Sequence, residues 1–322
     1  MKISPEIDLS RSLRQVFGNK DEFSDQVKHD CQRQTETCNA ILRRYFSPKD
    51  RERRELMILA DEVGLGKTYV ALAVAVSILD AIRRGETPDG LPTNKPVMLV
   101  LTPTNDALFN KWMREAESFR KDCARNDGEL DWLQIRCPIE NSNKTGNVID
   151  LSDQMRKATR GQPMVLIAKQ GALGAALHNR DLWRRRGLAA AFGHLRTPVD
   201  TRRYWCRKGK VFDNFGIPDL EELLDLRRSA HLWDDPISPD LERAFARALH
   251  NHPQFTERLA SGLNGRDELT LSTILDDLTR YALAGDWPQF PLIIIDEIHG
   301  IKNEYVQVRR NFESLIRGQV CR

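Results

Sequence analysis

Residues 61–68 read Asp-Glu-Val-Gly-Leu-Gly-Lys-Thr, and their types and spacing suit phosphate binding. They match the pattern G-x-x-x-x-G-K-[ST] except at its first glycine, where Asp61 stands. Gly66 allows backbone N–H groups to approach a phosphate without a Cβ clash, and a helix that begins here adds the positive end of its dipole. The pattern therefore predicts a phosphate-binding turn formed by Gly64, Leu65, Gly66, Lys67 and Thr68.

Two side chains of this turn have specific roles in such sites. Lys67 is expected to contact the β- and γ-phosphates of ATP, and the Thr68 hydroxyl is expected to bind Mg²⁺. A dinucleotide-binding turn is excluded, because Tyr69 replaces the third glycine of G-x-G-x-x-G. The alternative is a strand-to-helix turn without a ligand, but the apolar runs on both sides of the turn favour the phosphate site.

A second chemical signal is the segment 293–299, which reads Ile-Ile-Ile-Asp-Glu-Ile-His. A carboxylate at the carboxyl end of a buried parallel strand lies where open α/β sheets bind their ligands. Asp296 is expected to hold the magnesium shell, and Glu297 to orient or deprotonate the attacking water. The alternative is an acidic pair that only precedes a helix, where the helix dipole favours negative charge. The phosphate turn completes the same mechanism and favours the catalytic interpretation.

Short apolar runs that alternate with helical patterns must position these residues. The runs typical of buried parallel strands are residues 56–60, 97–101, 164–168 and 292–295, with 132–135 as a weaker candidate. Helical patterns cover residues 25–45, 67–84 and 108–119. Alternating strands and helices predict an α/β fold with a parallel sheet built from right-handed βαβ units.

The composition divides the chain into four parts. Residues 1–50 are a polar N-terminal helical segment, and residues 51–174 are the first part of an α/β lobe. Residues 175–288 show helical patterns separated by prolines and no strand-like run, which indicates a helical insertion. Residues 289–322 return to the lobe with its last strand, the acidic segment and a following helix.

The insertion contains a cluster of basic and aromatic residues, which we call the basic cluster. Trp183, Tyr204 and Trp205 are interleaved with its nine cations: Arg184, Arg185, Arg186, Arg196, Arg202, Arg203, Arg207, Lys208 and Lys210. Cations together with aromatic rings can follow phosphates and stack on bases. The alternative is a solvated helix face whose tryptophans anchor the insertion to the lobe, since charge runs are commonly just surface.

Composition excludes several classes of protein for this chain of 322 residues. Forty-nine Lys and Arg against 46 Asp and Glu leave a charge of +3, which excludes a histone-like polycation. No apolar run approaches the roughly 20 residues of a membrane span, and the first residues do not resemble a signal peptide. Six cysteines without C-x-x-C spacing predict free thiols and no metal site built from side chains alone. A cytoplasmic location without a membrane partner is expected.

Beyond the general pattern, residues 61–68 resemble the D-E-x-G-L-G-K-T loop of Swi/Snf-type ATPases in helicase superfamily two, including its aspartate. Residues 296–303 resemble the D-E-A-H-x-x-K-N box of that family, with Ile298 in place of alanine. The sequence of residues 59–68, Leu-Ala-Asp-Glu-Val-Gly-Leu-Gly-Lys-Thr, is most similar to bacterial members near the polymerase-recycling ATPases. The resemblance covers residues 30–174 and 289–317 and implies a RecA-like lobe. It also implies an adenine-reading glutamine upstream, for which Gln34 is the candidate, with Gln26 and Gln32 in reserve. The alternative for Gln34 is a solvated helix face.

The resemblance implies a helicase-like ATP hydrolase that acts on nucleic acid, with DNA favoured over RNA. Residues 102–104 would then lie near the nucleic-acid backbone. The family uses a second lobe that supplies an arginine finger, and Arg322 follows His299 by only 23 residues. The expectation is therefore a fragment, a split gene product or a chain completed by a partner, in which ATP binding outlasts hydrolysis. Another P-loop NTPase and a non-catalytic interaction module remain the alternatives.

Overall fold

The computed structural model describes residues 1–17, 24–47, 57–59, 66–86, 91, 94–139, 146, 148–174 and 287–297. Within these ranges the chain forms α1 (Leu9–Phe17), α2 (Ser24–Tyr45), α3 (Lys67–Arg84), β1 (Val97–Thr102), α4 (Asp106–Asp122), β2 (Gln134–Arg136), α5 (Val148–Arg156), β3 (Met164–Lys169), α6 (Gly171–Gly174) and β4 (Ile293–Ile295). The basic cluster, almost all of the insertion, the segment after Glu297, Gly64 and Leu65 lie outside the described residues.

The four strands form one parallel sheet in the order β2-β3-β1-β4. β1 pairs with β3 along its length, so that Thr102 lies opposite Lys169, and it pairs with β4, where Leu101 lies opposite Ile295. All four strands point the same way, so their carboxyl ends meet along one edge of the sheet, which we call the carboxyl edge. The α/β fold with a parallel sheet that the sequence predicts is confirmed.

The two long strands are buried on both faces, which explains their continuous apolar sequences. Every residue of β1 and of β3 is buried. The side chains of Leu42, Leu79 and Phe119 come from three different helices and belong to the same hydrophobic cluster as the sheet. Full burial of an apolar side chain of this size contributes about 1.5–3 kcal/mol relative to exposure. β4 is only half-buried, so the carboxyl edge is less covered on its side.

α3 lies inside the core, and a glycine in the left-handed conformation marks each end. Gly66 precedes the helix with φ 78°, and Gly85 follows it with φ 76°. The Gly85 N–H donates to the Ile82 carbonyl (3.1 Å) and the Glu86 N–H donates to the Ala81 carbonyl (2.9 Å), which is a Schellman motif. The helix ends where the sequence predicts. α3 is apolar, but neither α3 nor any other helix in the described ranges has the length and composition needed to cross a membrane.

A buried ionic cluster attaches the first residues of the chain to the end of α3. The Asp80 carboxylate is fully buried, accepts a hydrogen bond from the Ser4 hydroxyl (2.7 Å), and pairs with Arg83 (2.8 Å) and Arg84 (3.0 Å). Arg83 also pairs with Glu6 (2.6 Å). A carboxylate in this position requires such partners, because burial of an isolated charge is very unfavourable.

The strand predicted at residues 56–60 is not part of the described sheet. Residues 57–59 lie in irregular backbone, and the Ile58 side chain is 83% exposed. An apolar run becomes a strand only where a neighbouring strand takes up its backbone hydrogen bonds. The described residues of this segment pair with neither edge of the four-stranded sheet, although Leu59 still packs against the core.

Candidate functional site

A buried glutamine from α2 lies against Gly66, the residue that precedes α3. A Cβ added to Gly66 would clash with Gln34 Nε2, and Gln34 is only 4% exposed. One turn further along α2, the Cys38 thiol donates to the Val70 carbonyl (3.6 Å). A residue larger than glycine at position 66 would have to displace Gln34 and adopt an unfavourable backbone conformation. The solvated alternative for Gln34 is therefore wrong, while adenine recognition stays a prediction.

The two reserve candidates for adenine recognition are exposed on α2. Gln26 Nε2 donates to Asp30 (2.9 Å), and Gln32 Nε2 donates to Glu36 (2.8 Å). Both interactions lie within one helix and connect residues four apart, as is typical of a solvated face. Of the three glutamines, Gln34 is the one placed against the turn.

Lys67 and Thr68 are the first two residues of α3, and both are partly exposed. Gly66 at the N-cap has no side chain, so the first-turn N–H groups receive no side-chain cap from that position. An uncapped N-terminus of an 18-residue helix carries positive partial charge and suits an anion. Residues 66–68, the described part of the predicted turn, therefore begin a helix that suits an anion, and phosphate binding stays a prediction.

Asp296 and Glu297 follow β4 at the carboxyl edge, as the sequence predicts. The Asp296 N–H donates to the Leu101 carbonyl (2.9 Å) and extends the β1–β4 pairing by one bond. Glu297 has φ 51°, and it is the one non-glycine residue with positive φ in the described part of the chain. Such a conformation costs on the order of 1–3 kcal/mol and is found preferentially at functional sites. The Glu297 side chain is exposed at this edge.

Two buried side chains that the sequence does not identify as site residues contact this acidic turn. Trp112 Nε1 donates to Asp296 Oδ2 (2.8 Å). Gln170 Nε2 donates to the carbonyl oxygens of Asp296 (2.8 Å) and Glu297 (3.4 Å). Trp112 lies on the buried face of α4 with Ala116 and Phe119, and a buried indole N–H also needs a polar partner. A polar residue directly after a buried strand is the sequence feature by which Gln170 could have been found.

A buried lysine is the third polar group at this edge. Lys169 is 2% exposed, pairs with Asp106 and lies 5.2 Å from the centroid of the Phe109 ring. The ion pair and the ring compensate for removal of the ammonium group from water. The pair connects the end of β3 to the first turn of α4.

The turn at residues 102–105 offers fewer groups to nucleic acid than the sequence predicts. Thr102 is fully buried, and its hydroxyl donates to the carbonyls of Pro103 (3.3 Å) and Ala168 (3.4 Å). The Asn105 side chain caps α4 by accepting a hydrogen bond from the Ala107 N–H (2.7 Å). The Thr102 hydroxyl is therefore used inside the protein, while the placement of residues 102–104 near nucleic acid stays a prediction. Thr104 is exposed and stays a candidate.

The oxygen groups at the start of α3 and at the carboxyl edge suit magnesium. Thr68 and Asp296 offer a hydroxyl and a carboxylate, which are hard ligands, and the Trp112 hydrogen bond is to one carboxylate oxygen. No group of three His, Cys, Asp or Glu within the described ranges could hold a metal ion. Magnesium usually takes one or two side chains together with water and phosphate oxygens, so these residues fit a magnesium ion that binds with a nucleotide.

The structure thus brings the predicted residues together in two sets. The first is Gln34 with Gly66, Lys67 and Thr68 at the start of α3, and the second is Asp296 with Glu297 at the carboxyl edge. Comparison with known protein families, with characterised proteins and with solved structures gives no match for this chain. Its function is therefore argued from these residues.

Proposed function

We propose that this chain binds Mg·ATP as the RecA-like lobe of a nucleic-acid-dependent ATPase of the Swi/Snf type. The backbone of residues 64–68 and the Lys67 ammonium group bind the phosphates, and Thr68 and Asp296 bind magnesium. Glu297 orients the attacking water or takes its proton. Hydrolysis is coupled to movement along nucleic acid, with DNA favoured, or to remodelling of a bound protein.

The main support for this proposal is the conformation of the chain at residues 66–68, where α3 begins. Gly66 adopts φ 78° directly before Lys67 and Thr68, with no side-chain cap on the helix. A glycine-bearing turn that leads into an uncapped helix with lysine and threonine first is the form in which backbone N–H groups surround a phosphate. A turn without a ligand would explain the glycine, but it would not explain two carboxylates at the end of a parallel strand in the same α/β unit.

Two further features support nucleic acid as the partner. Thr104 is exposed next to the N-terminus of α4, and hydroxyl groups in such positions suit phosphate oxygens without reading bases. The basic cluster adds cations with interleaved aromatic rings. Binding through phosphates should weaken steeply as salt rises, because released counterions supply most of the free energy.

Calorimetry of ATP binding to the full chain, with magnesium and with EDTA, tests the proposal. Lys67→Ala removes the cation aimed at the terminal phosphates, and a lost hydrogen bond to a charged group is equivalent to about 10- to 100-fold in affinity. Lys95→Ala is the matched control, because Lys95 is exposed in the turn before β1. We expect the control to bind like the parent. Equal affinity of Lys67→Ala and the parent would reject the site.

The same preparation separates the alternatives. Absence of ATP binding by the parent would favour a non-catalytic interaction module. ATP binding that a labelled single strand and a labelled duplex leave unchanged, with neither of them bound at low salt, would favour another P-loop NTPase. If the basic cluster follows phosphates, the combined variant Arg184→Ala, Arg185→Ala and Arg186→Ala should flatten the salt dependence of nucleic-acid binding. A solvated face would leave that dependence unchanged.

A further inference from the structure

The acidic turn after β4 does not hold its shape through its own backbone alone. The pairing with β1 ends at the Asp296 N–H, which donates to the Leu101 carbonyl (2.9 Å). Glu297 then leaves the strand with φ 51°, a conformation that residues other than glycine, asparagine and aspartate seldom adopt. An unfavourable conformation persists only where surrounding contacts fix it, so the turn requires partners from other elements.

Gln170 is the partner on the β3 side. Its own N–H donates to the Thr102 carbonyl (2.7 Å), which fixes the residue beside the end of β1. Its side chain is buried, with the residue 4% exposed, and the amide donates to the carbonyls of Asp296 (2.8 Å) and Glu297 (3.4 Å). One amide group thus binds two successive carbonyls and fixes the peptide between the two acidic residues.

Trp112 is the partner on the α4 side, and it acts on the carboxylate itself. The indole is buried, with the residue 6% exposed, and Nε1 donates to Asp296 Oδ2 (2.8 Å). An indole N–H only donates, so the bond is made with an oxygen that accepts. The contact occupies Oδ2 and restricts the rotation of the carboxylate.

We propose that Trp112 and Gln170 are positioning residues that hold Asp296 and Glu297 ready for magnesium and for the attacking water. The inference rests on the proposed function, and it adds two residues that touch neither nucleotide nor metal. Pre-oriented groups bind more tightly because less conformational freedom is lost on binding. The contribution of Trp112 is therefore expected in the magnesium-dependent part of ATP binding.

Trp112→Phe tests this, because it keeps an aromatic ring in the core and removes the N–H donor. We expect ATP affinity in EDTA to equal that of the parent, and affinity in magnesium to fall about tenfold, as for loss of one hydrogen bond to a charged group. Trp132→Phe is the matched control, since Trp132 Nε1 donates to another carboxylate, Glu6 (2.9 Å), at the N-terminal segment. The control should bind Mg·ATP like the parent.

Tryptophan fluorescence gives a second reading that does not depend on activity. Addition of magnesium to the ATP complex should change the emission of Trp112, which contacts Asp296, in the parent and in Trp132→Phe, and this change should be reduced in Gln170→Met, which keeps the indole. If Gln170 only fills the core, Gln170→Met would lower the melting temperature and leave both the fluorescence change and the affinity intact. That outcome would overturn the inference.

Gln170→Met is the second variant, in case Trp112→Phe does not fold, as judged by circular dichroism. Methionine keeps the length of the side chain and removes the amide donor. It should also reduce magnesium-dependent ATP affinity without changing affinity in EDTA, and parental affinity in magnesium would contradict the role of Gln170. If the parent itself binds no ATP, the proposed function fails. If the parent binds Mg·ATP and all variants bind equally, only the positioning role fails.

Discussion

Asp296 and Glu297 are adjacent in sequence, but the structure holds them differently. Asp296 continues the strand pairing and accepts a hydrogen bond from Trp112, whereas Glu297 is exposed in a left-handed backbone conformation. A carboxylate on a paired backbone, with one oxygen bound by an indole N–H, suits metal binding, which needs a defined geometry. An exposed carboxylate beside it suits proton transfer to or from a water molecule.

This difference predicts separable effects of mutation. Asp296→Ala should weaken ATP binding in magnesium and leave binding in EDTA unchanged. Glu297→Gln should leave both affinities unchanged and abolish ATP hydrolysis, because the amide keeps the shape and cannot take a proton. Calorimetry and phosphate release with the two variants check the assignment. Glu129→Gln, on the loop that follows α4, is a control for carboxylate loss, and an equal loss of binding in both site variants would contradict separate roles.

The secondary-structure elements depend on a few backbone positions that only glycine satisfies well. The Schellman motif at Gly85 requires φ 76°, and it closes the helix whose first turn forms half of the candidate phosphate site. Gly161 has no heavy atom within 4 Å of an added Cβ, and it is not among the glycines with positive φ. The two positions therefore form a matched pair of substitutions.

Gly85→Ala is expected to lower the free energy of unfolding by about 1–2 kcal/mol, the cost of a left-handed conformation for a residue with a Cβ. The Arg160 side chain, 2.5 Å from the added Cβ at its Nη2 atom, can move aside, so the backbone conformation dominates the cost. Gly161→Ala should be neutral or slightly stabilising, since it restricts the unfolded chain. Urea unfolding of the two variants and the parent measures the difference in the free energy of unfolding. Equal urea midpoints for all three proteins would refute the expected cost at position 85.

Cys38 in α2 and Cys123, which directly follows α4, belong to one core cluster, and this gives the folded chain a dependence on alkaline pH. Burial raises the pKa of the Cys38 thiol from an ordinary value of 9.0 to about 12, although its backbone hydrogen bond acts in the opposite direction. Burial likewise raises the pKa of Cys123 to about 12, against a hydrogen bond with Ser12. Each thiol therefore stays protonated in the folded chain at pH values where it ionises in the unfolded chain.

The contribution of these thiols to the free energy of unfolding is fully present below about pH 9 and is lost as the pH rises toward 12. In this range the unfolded chain releases the thiol protons and the folded chain keeps them. The expected slope is up to about 1.4 kcal/mol per pH unit for each thiol. Cys38→Ala and Cys123→Ala should each reduce the difference in unfolding free energy between pH 8 and pH 10.5. Cys137→Ala, at a half-buried position, should keep it. Parental pH dependence in both core variants would show that other groups cause it.

The sequence predicts those parts of the fold that have local signals. Continuous apolar runs identify β1 and β3, and the two flanking glycines identify α3. The short helices α1 and α5 are not predicted, although Leu9, Leu13, Val16 and Phe17 of α1 recur at helical spacing. The apolar run at residues 56–60 predicts a strand that the described sheet does not contain, because a strand also needs a neighbouring strand to pair with. Pairing between distant segments leaves no local pattern in the sequence.

The same distinction applies to the candidate site. Lys67, Thr68, Asp296 and Glu297 belong to compact motifs that can be read directly. The hydrogen bond between Trp112 and Asp296 joins residues 184 apart in the chain, and an indole on an apolar helix face gives no sign of it. Residues whose chemistry is specific to their type can therefore be predicted from the sequence. Residues whose role depends on which elements the fold brings together cannot.

The register of β4 on β1 has a consequence for how the chain tolerates change. β4 reaches β1 across residues 103–292, about three times as many as separate β1 from β3. Closure entropy grows only with the logarithm of that length, so the longer connection costs about 1 kcal/mol more, which is small beside a typical stability of about 5–15 kcal/mol. Closure entropy therefore places little limit on the number of residues between Gly174 and Trp287. Folding rate is affected more, because distant pairings form slowly, and the acidic turn is then the last part of the carboxyl edge to assemble.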